Sequence, residues 1–248
     1  MSDEEQSEVA AETRADITRF ALTPLGALRF GVSRTLENAS LWLVFSVCLV
    51  LVLLAAFVVG VSLAFSTYDP AGIEPSAGET NIWWLVVLGV FPGIISVAIT
   101  VVFGNAALRE AQDLAPRLHT LHSATSFAPA IGVACVRYAI FAMLQLAVLA
   151  FNGLNTIALT QLAILVIWIL AEPVLGYSIY FALEGKYGFI GSLVRGWKFG
   201  MAHYLILLQY GILAVLALYI AALPCYLGLI IVLPAAMIGH ARLYKVLA

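Results

Sequence analysis

Charge is missing from this chain over stretches long enough to cross a bilayer. From Leu41 to Phe65 there are 25 consecutive residues without Asp, Glu, Lys or Arg, and a hydrocarbon core needs about 20 residues of helix. Hydrophobic residues make up 63% of the 248 positions and charged ones 10%, against roughly 45–50% apolar in a soluble domain. The chain therefore reads as an integral membrane protein. The same balance excludes a mainly disordered chain, and a net charge of -2 excludes a nucleic-acid binder. Cys48, Cys135 and Cys225 are too few for a disulfide scaffold and form no CxxC or Cys/His spacing, so all three read as small packing residues. The first apolar run is longer than the 7–15 residues of a signal-peptide core, and the whole chain is expected to be mature protein.

Read along its length, the sequence predicts an acidic disordered tail over 1–16, where Asp3, Glu4, Glu5, Glu8, Glu12 and Asp16 face one Arg14. A single membrane domain over 17–248 follows. Its expected spans are 41–65, 81–104, 129–150, 154–183, 201–223 and 226–242. Asp69, Pro70, Gly72, Pro75 and Gly78 mark a loop between the first two. Residues 105–128 form a hydrophilic segment, and Phe151, Asn152 and Gly153 a tight hairpin. Pro224 and Gly228 divide the last apolar block.

Eleven of the twelve Lys and Arg residues lie in the N-terminal segment, after spans two and four, and at the C-terminus. The opposite loops carry Asp69, Glu74 and Glu79 and no base. The positive-inside rule then places both termini in the cytoplasm of a plasma or inner membrane. Trp42, Trp83, Trp84, Trp197, Tyr68, Tyr187, Tyr204 and Tyr244 near the span ends read as an aromatic belt.

Two short segments before spans one and five match at a separation of 165. Thr23 and Pro24 form a helix start, and Leu25, Leu28, Val32 and Leu36 recur at helical spacing. Ile190, Leu193, Trp197 and Met201 hold the same phases, and Gly26-Ala27-Leu28 with Gly31 becomes Gly191-Ser192-Leu193 with Gly196. A stripe of this kind beside basic residues belongs in the headgroup plane. Arg29, Arg34, Arg195, Trp197 and Lys198 are the expected lipid or partner surface, the alternative being simple anchors for the spans. The predicted fold is thus all-α: a polytopic bundle of six transmembrane helices with two amphipathic helices on its cytoplasmic face.

The pattern Ala171-Glu172-Pro173, Tyr177 to Leu183, Glu184-Gly185, Gly188 to Leu193, Trp197, Leu233-Pro234 and Leu243-Tyr244 resembles a broad set of uncharacterised six-span bacterial and archaeal membrane proteins. That set includes the membrane domain attached to some glycerophosphodiester phosphodiesterases. The resemblance implies a fold and a location. Catalysis in the enzyme-linked members resides on a separate soluble domain, and it implies no reaction for this chain.

Arg137 is the one base and Glu172 the one acid expected inside the spans. An unpaired Arg near a bilayer centre costs about 2.5–3.5 kcal/mol on insertion scales, so a partner is required. In the hairpin centred near Asn152, Arg137 lies level with position 168, and Glu172 is one turn away, about 6 Å at 1.5 Å per residue. The two are expected to pair, either as a structural clamp or as a transport site. Pro92-Gly93 and Pro173 are expected helix breaks. His119 and His122 have a metal-compatible spacing but no third ligand, and no catalytic motif is present. No cofactor and no enzymatic activity are therefore expected. The leading functional expectation is an accessory or membrane-organising component working with the bilayer, a membrane-protein partner or a second copy. The alternative is a small-solute or lipid transporter built on Arg137 and Glu172.

Overall fold

The computed structural model describes residues 23–47, 91–112, 127–152, 157–222 and 228–248, with no strand among them. The expected tail, the 66–80 loop, most of the first span, His119, His122, Cys48, Cys225 and Pro224 lie outside the described residues. The helices are α1 (Pro24–Glu37), α2 (Phe91–Ala111), α3 (Phe127–Asn152), α4 (Ile157–Leu175), α5 (Ser178–Leu183), α6 (Phe189–Ala202), α7 (Tyr204–Ala222) and α8 (Leu229–Leu247). Residues 39–47 are also helical and follow α1 after a turn at Asn38. Five segments are long and apolar enough to cross a membrane: Gly93–Ala111, Phe127–Leu144, Leu162–Leu183, Tyr204–Ala222 and Leu229–Leu247.

Those five segments close a ring. α2 packs on α3, α3 on α4, α4 on α7, α7 on α8, and α8 back on α2. Short α5 follows α4 after a turn at Gly176 and Tyr177, and it packs on α2, α3 and α6. Pro173 lies inside α4, three residues before that turn, and is fully buried. Lacking an N–H, it withholds one hydrogen bond from the helix ladder.

α1 and α6 lie against the outside of this ring. The Thr23 side chain caps α1 by accepting from the Gly26 N–H at 3.0 Å, and Pro24 occupies its first turn. α1 packs chiefly on α8, and α6 on α4 and α5. In both helices the inward face is built mainly of small residues, with Phe199 of α6 a large exception. Gly26, Ala27, Gly31 and Thr35 are buried in α1, and Ser192, Gly196, Phe199 and Gly200 in α6. A Cβ on Gly31 would strike the Ala235 backbone, and one on Gly196 the Ser178 backbone, so each glycine permits a close helix approach. Leu25, Leu36, Ile190, Trp197 and Met201 point outward.

α2 continues past Gly104, the expected end of the second span, to Ala111, with Asn105, Leu108 and Glu110 buried. Two expectations of the sequence need correction. Burying a carboxylate needs donors, and Asn38 Nδ2 and Trp42 Nε1 both donate to Glu110 Oε1, at 2.9 and 3.1 Å. Trp42 is consequently fully buried beside Phe45 and Phe103, and Tyr244 is buried as well, so neither faces a headgroup belt. Cys135 is exposed on α3 rather than packed.

Candidate functional site

The α3 and α4 helices bring Arg137 and Glu172 together. Arg137 Nη2 donates to Glu172 Oε1 at 2.8 Å and Oε2 at 2.7 Å. The carboxylate also sits 3.9 Å from His240 Nε2 on α8. Arg137, Glu172 and His240 side chains keep 18%, 15% and 15% of their surface exposed, enough to present one side of each group to a void.

That void is a cavity of about 390 Å³ at the centre of the ring. All five helices of the ring line it: Thr100 from α2, Arg137 and Phe141 from α3, Trp168 and Glu172 from α4, Gly211 and Leu218 from α7, and Leu233 and His240 from α8. Tyr180 contributes from α5. Charged and hydroxyl groups thus converge on one space inside the ring.

Aromatic rings hold His240 in place. Its ring centroid lies 4.0 Å from that of Tyr177, 5.6 Å from Tyr180 and 6.0 Å from Tyr210. Tyr180 Oη lies 3.2 Å from His240 Nδ1 and 3.5 Å from the Met237 carbonyl. Tyr210 donates to the Ala236 carbonyl, which fixes α7 against α8 beside the cavity. The Tyr177 hydroxyl is buried without a hydrogen-bond partner among the described residues.

The remaining expected residues occupy other places. Gly93 is buried with its α-carbon against the Tyr138 ring, while Pro92 stands in the first turn of the described α2. Arg29 is exposed on α1, and Arg34 pairs with Glu37 at 3.0 Å. On α6 the Arg195 guanidinium stacks 4.0 Å above the Tyr187 ring, with Trp197 and Lys198 exposed beside it. Gly93, Arg29, Arg34, Arg195, Trp197 and Lys198 do not line the cavity.

Outside the spans, Glu184 forms a separate cluster. It pairs with Lys245 and, at 3.2 Å, with Lys186. Burial pushes its carboxyl up, yet the hydrogen bonds and charges of the two lysines prevail and hold it below its ordinary value.

His240, Tyr180 and Tyr210 are site residues that sequence reasoning missed. The available signal was its phase: His240 follows Leu233 and Met237 at i+7 and i+3, on the inward face of α8. Among the described residues no group of three His, Cys, Asp or Glu side chains could hold a metal ion. No family model, characterised protein or solved structure matches the chain.

Proposed function

We propose that this chain is a multi-pass protein of the plasma or inner membrane that binds and carries a small solute or lipid at Arg137 and Glu172. The observation that carries the proposal is the cavity at the centre of the helix ring, lined by an ion pair, a histidine and apolar walls. Ligand sites are concave, mostly apolar spaces with a few convergent polar groups, and they occur between the helices of bundles. Ionisable groups at membrane depth mark substrate or ion pathways. A purely structural clamp needs the pair and has no use for the void beside it.

In this reading the protein has six spans, the first over 41–65, and both termini are cytoplasmic, as the Lys and Arg distribution supports. The likeness of residues 171–244 to uncharacterised six-span proteins agrees with that architecture. Binding and release involve no bond breaking, so the chain works without enzymatic activity.

A second reading, an accessory component acting through its cytoplasmic surface, draws on the outer face of α6. Ile190, Val194, Trp197 and Met201 are exposed there, with Arg195 and Lys198 among them. One experiment separates the two: gentle extraction of the tagged protein from its native membrane, with identification of everything in the particle. A single enriched lipid or solute supports the carrier. A stoichiometric protein partner with an empty cavity supports the accessory role.

A further inference from the structure

We infer that the ligand of the central cavity is an amphipath of zero net charge, with a hydroxyl-bearing head and one short apolar chain. A monoacylglycerol is the simplest molecule of this class. The inference rests on the proposed binding role of the cavity and adds the chemistry of what is bound.

The first argument is charge. Among the described residues, Arg137 and Glu172 are the only Lys, Arg, Asp or Glu side chains that line the cavity, and they already neutralise each other. Packed against the rings of Tyr177, Tyr180 and Tyr210, the His240 imidazole is favoured in its neutral form, which leaves these groups with a formal charge of zero. An anionic or cationic head would then bring an uncompensated charge into a low-dielectric space, which costs far more than burying a hydroxyl that finds hydrogen-bond partners. Hydroxyl heads both donate and accept, and so suit the mixed set of carboxylate, guanidinium and imidazole here.

The second argument is the axial order of the lining. Arg137, Glu172, Gly211 and His240 lie at one level of four helices that alternate in direction. Moving from that level in the same direction along each helix reaches Phe141, Trp168, Leu218 and Leu233. The separations of four to seven residues amount to about 6–10 Å at 1.5 Å per residue. One end of the cavity is therefore charged and the other apolar, apart from the Ser96 and Thr100 hydroxyls on the α2 wall. Head and tail have separate, pre-arranged places. The third argument is length: the apolar end reaches about 6–10 Å beyond the charged level at 1.5 Å per residue, which suits one short chain.

The test uses full-length protein in nanodiscs and three probes of equal chain length: mono-octanoylglycerol, octanoate and octylammonium. Binding specific to the cavity is the component lost in Gly211→Trp, because the Gly211 position faces open space that the indole fills. The expected result is cavity-specific binding of the glyceride about ten-fold or more tighter than that of either ion. Glu172→Gln should shift the preference toward octanoate by a similar factor, since it leaves Arg137 uncompensated. If that variant does not fold, the wild-type panel decides alone. Tighter cavity-specific binding of an ion overturns the neutral class and leaves the binding role standing. No cavity-specific binding of any probe overturns both.

Discussion

One nitrogen of Arg137, Nη2, bridges both oxygens of Glu172 across the α3–α4 hairpin, 35 residues apart in sequence. Removing one partner strands the other at membrane depth, whereas removing both discards the desolvation cost together with the attraction. Arg137→Met should lower stability by about 3–5 kcal/mol, and the double variant Arg137→Met with Glu172→Leu by markedly less. Thermal unfolding in detergent reads both; a double variant as damaged as the sum of its singles contradicts the pairing.

The Glu110 carboxylate makes a comparable connection between α2 and the segment after α1. Glu110→Ala leaves the buried Trp42 donor and the half-buried Asn38 donor without their acceptor, a loss of about 1–3 kcal/mol. Intrinsic fluorescence during chemical unfolding measures it, since Trp42 reports on the site itself. An unchanged midpoint would mean that water replaces the carboxylate.

Gly31 and Gly196, matched at a separation of 165, should both resist enlargement. Valine at either position forces backbone apart, against Ala235 in one case and Ser178 in the other, at about 1–3 kcal/mol. Gly211→Ala meets no neighbouring atom and should stabilise α7 by about 0.5–1 kcal/mol. Melting temperatures of the three variants test the contrast.

Acidification should loosen the junction of α5 with the end of α8. Glu184 has its carboxyl held below the ordinary value of 4.5 in the folded state, so its contribution is complete above that value. It is lost as pH falls through the lower folded value. Hydrogen exchange over 240–248 should therefore rise below about pH 4.5 in the wild type. Glu184→Gln should already exchange fast at neutral pH and respond less to acid.

Much of this fold can be read in the sequence, for reasons that differ from one element to the next. Uncharged runs locate the spanning segments because lipid penalises charge directly. The Thr23-Pro24 start is local capping chemistry, readable without any tertiary partner. Glu110 is different: two donors more than sixty residues away make its burial possible, and no local pattern carries that information. The inward faces of α1 and α6 were hidden for another reason. Hydrophobicity does not select the packed face when the surroundings are lipid, and close approach of small residues does. Arg137 and Glu172 stood out as charges in an apolar background, whereas His240 needed the helix phase of α8 and the ring around it to become a site residue.

The central claim is that the ring of helices encloses a ligand site organised by Arg137 and Glu172. Native mass spectrometry of the protein released from its own membrane tests it most directly, comparing wild type with Gly211→Trp. The account predicts one bound small molecule per wild-type chain and none in the folded variant. Equal occupancy in both, or an empty wild-type chain from a membrane never stripped of lipid, would contradict it.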